Sequence, residues 1–269
     1  MASTASASAV REGWYLGRSA LLHRADLSPW AFASEAFQAD PRPVAIARVR
    51  EDHAGLFGLL AVLEDAPERG QAFLDNALKA AWLHEDPRHW PPDDERRRIG
   101  LPGLLRGWGI DASGSAGAVL KGWAESRFGL RILHHGRVLA DHHQDGRLAA
   151  DRTARLVHGV LHQLDLLYAF TQQELARRLP GERWLTLWRG SHDPEAYVVR
   201  EDDRALVEFN AVSSFTGNRE IAWEFGSRVW EVRVPLAKIL YAPGMLPVLV
   251  GEAEYLVLGG DYRVRSLVA

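Results

Sequence analysis

The chain contains no cysteine in its 269 residues. Disulfides, thiolate nucleophiles and cysteine-ligated zinc are therefore excluded. No apolar run approaches the ~20 residues that a membrane-spanning helix requires. No sign of charge dominates either. Lys and Arg number 32 against 35 Asp and Glu, a formal net charge of −3, without the basic footprint of a global nucleic-acid binder. Residues 1–12 begin with an Ala/Ser-rich stretch that lacks the basic segment and apolar core of a secretory signal, and they read as a disordered tail. These absences fit a cytoplasmic protein. Three catalytic signatures are missing as well. No Gly-x-Gly-x-x-Gly fingerprint follows a strand. No Gly-x-Ser-x-Gly elbow is present. Gly114-Ser115-Ala116-Gly117 precedes Lys121 but lacks the Gly-Lys-Ser/Thr ending of a phosphate loop.

What is present is an ordinary globular composition, 47% hydrophobic and 25% charged, with ten tryptophans. Most of those indoles are expected in the core and some along a groove. The first two thirds read as helical. Ser28-Pro29 starts a helix, since serine can cap the first turn and proline is tolerated there. Further helices are predicted over Val49 to Leu63 and from about Glu68 to Leu83. The glycine-rich stretch Gly103 to Gly117 reads as the lead into a helix holding Val119, Leu120, Trp123 and Phe128. Asp86 to Pro102, with Asp93-Asp94-Glu95 before Arg96-Arg97-Arg98, reads as a solvated loop or helix end. Leu130 to Leu139 suggests a short hairpin turning at His135-Gly136, and Asp151 to Leu179 a long amphipathic helix.

After Pro180-Gly181 the texture changes to short β-type runs. They are Trp184 to Trp188, Ala205 to Phe209, Arg228 to Val234, Pro247 to Val250, Glu254 to Leu258 and Tyr262 to Val268. One helix interrupts, Asn218 to Gly226, with Ile221, Ala222 and Phe225 on its apolar side. Gly259-Gly260-Asp261 reads as the turn of a closing hairpin. The fold class is α+β: after the tail, a mainly helical part over 13–180 and a β-rich part over 181–269.

Histidines are the first candidates for chemistry. His158 and His162 lie four apart on one helix face, but Gly159 stands where a zinc hydrolase places its glutamate, so metalloprotease chemistry is not expected. Three C-terminal elements line up instead. Arg189-Gly190 ends a strand with a guanidinium that can grip phosphate oxygens bidentately and a glycine that permits close approach; a plain surface arginine is the alternative. Ser213-Ser214-Phe215-Thr216 sets hydroxyls around an aromatic, able to orient a carboxylate or to serve only as local caps. Glu252 and Glu254 head an apolar run, and residues two apart share a strand face. Two carboxylates side by side belong on a solvated strand end or at a site that uses the charge.

Arginine, a serine-rich strand and Glu-x-Glu, in that order, resemble the arginine-specific mono-ADP-ribosyltransferases of the Arg–Ser–Glu class. The likeness covers about Trp184 to Ala269. Within that class, the Gly55-Leu56-Phe57 and Phe73-Leu74-Asp75-Asn76 segments and Ser213 to Gly226 are similar to the bacterial branch that acts on dinitrogenase reductase. The resemblance implies a split sheet around an NAD cleft, with NAD as substrate and no metal. It implies that Glu254 stabilises the ribosyl cation, that Glu252 guides the acceptor guanidinium, and that Ser213, Ser214 or Thr216 orients Glu254. Arg189, with Gly190, Ser214, Phe215 and Thr216, would bind NAD. Dinitrogenase reductase, the nitrogenase iron protein, would be the target and a PII-type signalling protein the regulator. An NAD glycohydrolase and a catalytically silent NAD-binding module are the alternatives on the same residues.

Overall fold

Ser28 caps the first helix, its Oγ accepting from the Ala31 amide at 3.3 Å, with Pro29 in the first turn. This computed structural model describes residues 25–81, 100–133, 142–192, 197–200, 205–247 and 253–268. Helices α1 (Pro29–Ala33) and α2 (Glu35–Ala39) are joined at Ser34, whose Oγ caps α2. The single helix expected over 49–63 is instead two, α3 (Val49–Asp52) and α4 (Ala54–Val62), because His53 leaves helical geometry at φ −120 and ψ 31. Helix α5 (Ala66–Ala81) buries Phe73, Leu74 and Ala77.

Helix α6 (Leu101–Ile110) was not expected from the sequence. Gly103, Gly107 and Gly109 depress its propensity. Yet Pro102 sits in the first turn, and Leu101, Leu104, Leu105 and Trp108 form one buried stripe at helical spacing. Gly107 also has a packing reason: a Cβ there would stand 2.8 Å from the Ala116 Cβ on the next helix. That helix, α7 (Ser115–Phe128), buries Leu120, Trp123 and Phe128 as expected and ends at Gly129 in the left-handed conformation, φ 65. The long helix α8 (His142–Arg178) begins earlier than the periodicity suggested. It buries Val160, Leu164, Leu167 and Leu175.

Two buried ion pairs tie neighbouring helices to α8. Arg69 of α5 meets Glu174 through Nε–Oε1 at 2.7 Å and Nη2–Oε2 at 2.9 Å. Arg127 of α7 grips Asp165 through Nε–Oδ1 at 2.7 Å and Nη2–Oδ2 at 3.0 Å, and Trp123 Nε1 donates to Asp165 Oδ1 at 2.8 Å. Among the described residues no helix is long and apolar enough to cross a membrane.

The α+β expectation holds: the helices are followed by one antiparallel sheet. Its strands are β1 (Trp184–Ser191), β2 (Val198–Arg200), β3 (Leu206–Thr216), β4 (Arg228–Pro235), β5 (Ile239–Tyr241) and β6 (Glu254–Val268). Strand order is β2-β3-β1-β4-β6-β5, with β3 also paired to β6. Four strands therefore form a closed cycle of pairings. β1 runs beside β4 along its whole length. β6 gives its C-terminal half to β4, from Val264 to Val268, and its N-terminal half to β3, from Glu254 to Arg263. β3 returns to β1 only at Trp188↔Thr216. The sheet is thus two leaves sharing β6, and the single β1–β3 contact marks the end where the site lies.

Several local expectations are corrected. Gly259-Gly260-Asp261 is not a turn; β6 continues through it to Val268. The register against β3 shifts between Phe209 and Val212, Gly260 has φ 97, and a Cβ on it would stand 2.6 Å from the Ala33 carbonyl oxygen of α1. A glycine pair signals a bulge or close approach as well as a turn. Helix α9 (Arg219–Glu224) buries Ala222, but Phe225 lies beyond its end and is 54% exposed. Leu130 to Leu133 is not a strand; Arg131 O accepts from Ala211 N and Leu133 N donates to Asn210 Oδ1, binding this segment to the β3 bulge. The hairpin turn at His135-Gly136, the Asp93 to Arg98 charge run, all but Pro247 of the run from Pro247 to Val250, and the tail at 1–12 lie outside the described residues.

One continuous apolar core joins the two parts. Phe73, Trp123, Leu164 and Leu167 from the helices share it with Trp230, Val257 and Leu258 from the sheet. The helices pack directly on the strands, with α8 against β5 and α7 against β3.

Candidate active site

The β3–β6 register decides the site. Thr216 stands opposite Glu254 and Ser214 opposite Leu256, so Ser214 is one step diagonal from the glutamate that opens β6. Alternation then separates the hydroxyls. Ser214 Oγ donates to Glu254 Oε1 at 2.5 Å. Ser213, on the other face, is buried and points its Oγ to Asn210 O at 3.5 Å. Thr216 Oγ1 accepts from Asn218 N at 3.1 Å, helping to set the start of α9. Phe215 is buried edge-on against Phe209.

A second donor reaches the same carboxylate from the helical layer. Trp108 Nε1 lies 3.1 Å from Glu254 Oε1 and 2.9 Å from Ser214 Oγ. Indole N–H only donates, so it serves the carboxylate oxygen and the serine oxygen together. Oε1 is held from two sides, while Oε2 faces Gly109, where an added Cβ would be 4.0 Å away.

Arg189 of β1 closes the third side. Its Nη1 donates to the Ser214 carbonyl at 2.7 Å, and its guanidinium carbon stands 6.0 Å from the Phe215 ring centroid. Its Nε is buried and has no hydrogen-bond partner among the described residues. Gly190 follows for a packing reason: a Cβ there would be 2.0 Å from the Ala222 carbonyl oxygen. Gly226 mirrors it, with a Cβ 2.2 Å from the Ser191 carbonyl carbon. The two glycines let α9 lie against the end of β1.

Two more side chains complete the wall. Lys121 of α7 is 3% exposed, with Nζ 5.7 Å from the Trp108 ring centroid. Burial, and then the Arg189 charge, hold its ammonium down to about 8 against the opposing pull of Asp111. Tyr241 of β5 is buried. Desolvation pushes its hydroxyl up to about 12, with Glu254 adding to the shift and Arg178 opposing it.

The structure brings Arg189, Ser214 and Glu254 together and sets Ser213 apart from them. Glu252 lies outside the described residues. β6 begins at Glu254, and Ala253 before it has φ 22. The side chain of His158 also lies outside the described residues. His162 Nε2 is 2.7 Å from His53 Nε2, and among the described residues no group of three or more metal-ligating side chains occurs. Trp108, Lys121 and Tyr241 were missed in the sequence. Ten tryptophans hint at a groove but do not say which indole lines it.

Chemically, this is a carboxylate pinned by two neutral donors beside two cations, at the edge of an apolar core. A fixed carboxylate stabilises positive charge as it develops on a sugar carbon. The cations suit an anionic portion of the same ligand.

Comparison with known proteins agrees in scale. Residues 22–266 match the family described as dinitrogenase reductase ADP-ribosyltransferase (DRAT). The chain is 37% identical over 243 residues to the NAD(+)–dinitrogen-reductase ADP-D-ribosyltransferase of Rhodospirillum rubrum, covering 85% of this chain and 88% of that relative. No solved structure matches the chain. A match across nearly the whole sequence, helical layer and sheet together, means that the chain belongs to the dinitrogenase reductase ADP-ribosyltransferase family.

Proposed function

We propose that this protein is a mono-ADP-ribosyltransferase that moves ADP-ribose from NAD to an arginine of dinitrogenase reductase, switching nitrogen fixation off. The observation that carries the reading is the Ser214–Glu254 hydrogen bond at the strand end where Arg189 also sits. The bond between ribose C1′ and the nicotinamide nitrogen breaks, and nicotinamide leaves with the bonding pair. Positive charge grows on the ribose, and Glu254 stabilises it. Ser214 and Trp108 keep that carboxylate from rotating, so little reorganisation is needed as charge develops. The target guanidine then attacks C1′. A guanidinium is a poor nucleophile while protonated, and Glu252 takes its proton. Arg189 binds the NAD pyrophosphate, beside Gly190, Phe215 and Thr216. The helical part supplies target recognition, and a PII-type signalling protein acts through it.

The test mixes purified protein with NAD labelled in its adenylate moiety and nitrogenase iron protein, with and without a PII-type protein. Label on an arginine of the iron protein, absent with Glu254→Gln, supports the reading. With Glu252→Gln, arginine transfer should be lost while some NAD hydrolysis remains. Nicotinamide release with no labelled arginine under any condition would replace this reading with an NAD glycohydrolase.

A further inference from the structure

Glu254 is held through one oxygen. Ser214 and Trp108 donate to Oε1, and no described residue donates to Oε2. Oε2 faces Gly109 of α6, where an added Cβ would stand 4.0 Å away. Gly109 has no side chain to cover that oxygen, and Gly109, Ile110 and Asp111 are all exposed. The open oxygen of a fixed carboxylate thus lies beside the carbonyl end of a ten-residue helix. The last carbonyls of a helix lack intrahelical partners and carry partial negative charge. Asp111, the C-cap, adds a carboxylate there. This end of α6 suits an incoming guanidinium.

Ile110 stands out on that rim. It is 87% exposed, the most exposed of the five large hydrophobics in solvent among the described residues. Single exposed aliphatics are ordinary on a protein surface. Position sets this one apart. It follows Trp108, which bonds Glu254, and Gly109, which faces Glu254. Phe225, also exposed, borders the site from the Arg189 side, its carbonyl carbon 3.0 Å from where a Cβ on Gly190 would be. The other three, Trp30, Leu59 and Val62, lie on α1 and α4. An arginine on a folded protein reaches no further than its own side chain. A target that brings its guanidine to the ribose beside Glu254 must therefore lay its surface over the residues around Oε2.

We propose that Ile110 is the apolar anchor of the acceptor site. The target protein buries it beneath an apolar patch next to the modified arginine, while the open end of α6 receives the guanidinium. This assignment rests on transfer to an arginine of dinitrogenase reductase. It gives α6 two tasks, since Trp108 fixes the carboxylate and Ile110 seats the acceptor. NAD itself does not need the Ile110 contact.

The experiment measures steady-state transfer to nitrogenase iron protein by the full-length wild type, Ile110→Ser, Ile110→Leu and Val62→Ser. Calorimetric titration of NAD and thermal melts accompany it. A side chain this exposed can be replaced with little effect on folding. Loss of an interface anchor is expected to raise KM for the iron protein about tenfold, with kcat and the Kd for NAD unchanged. Ile110→Leu should stay near wild type. Val62→Ser, at a 74% exposed position on α4, should match wild type. An unchanged KM in Ile110→Ser overturns the assignment and leaves the transfer reading intact. A fall in kcat at constant KM, or weaker NAD binding, overturns it too, since either moves Ile110 from docking to the chemistry or the dinucleotide. Equal losses in Ile110→Ser and Val62→Ser overturn it as a general surface effect. A wild type that binds NAD but labels no arginine of the iron protein overturns the transfer reading, and the anchor with it.

Discussion

Ser214 and Glu254 meet across 2.5 Å, with the serine hydroxyl donating to Oε1, although 40 residues separate them in the chain. Their strands are neighbours, and the bond fixes the carboxylate plane relative to β3. A hydrogen bond to a charged group is worth about 1.5–3 kcal/mol. Ser214→Ala should therefore lower the transfer rate by roughly tenfold to a hundredfold. Glu254→Gln should abolish both nicotinamide release and transfer. Nicotinamide release by Glu254→Gln at the wild-type rate would remove this carboxylate from the reaction.

Trp108→Phe keeps an aromatic ring in the buried stripe of α6 but deletes the donor shared by Glu254 and Ser214. Its expected signature is a kcat loss of about tenfold, the size of one hydrogen bond, with NAD affinity little changed. A purely structural role for the indole would instead show as a lower melting temperature with normal turnover per folded molecule.

Arg189→Lys should raise the Kd for NAD by about tenfold, because lysine is a point charge without the planar fork. It also leaves the Ser214 carbonyl without its 2.7 Å donor. Isothermal titration decides this; an unchanged Kd would take Arg189 out of the phosphate site.

Lys238 is fully buried in the 3-10 turn between β4 and β5, donating to Gly259 O at 3.0 Å beneath the Tyr262, Phe32 and Phe37 rings. Burial lowers its ammonium from 10.5 to about 7, with Asp261 opposing. The folded pKa lies below the unfolded one, so above pH 7 the unfolded chain binds more protons, and stability rises with pH until about 10. Lys121 adds in the same direction from about 8 upward. Melting temperatures between pH 7 and 10 should climb more steeply for wild type than for Lys238→Met. Parallel slopes would contradict the buried-lysine account.

Asp165 holds Arg127 and Trp123 together inside the helical layer. Removing one partner of a buried ion pair leaves the other charge uncompensated, at a cost of about 3–5 kcal/mol. Asp165→Ala should accordingly lower denaturant stability by that amount, read from the urea midpoint at constant m-value. A loss under about 1 kcal/mol, the size of an exposed pair, would mean that water reaches Arg127.

Much of the architecture was legible in the chain. Leu101, Leu104, Leu105 and Trp108 show why α6 was not: its apolar stripe is helical, but three glycines suppress the propensity signal, and Gly107 is there to admit Ala116. Gly259-Gly260 shows the converse. Its glycines read as a hairpin turn, yet the chain continues as β6 because α1 lies against it and β3 bulges opposite.

The sequence by itself determined the α+β class, the change from helix to strand after Pro180, and the arginine, serine and glutamate that meet at one sheet end. The class and the change of texture depend on local periodicity, which the chain carries by itself; the three site residues stand out by their resemblance to the Arg–Ser–Glu class. Tertiary structure alone decided that Ser214 rather than Ser213 holds Glu254, because the Thr216↔Glu254 register sets which face meets which. It alone brought in Trp108 and Lys121. They reach the site only because α7 packs on β3 and α6 packs on α7, and burial of those apolar faces follows from the whole fold and not from any spacing along the chain.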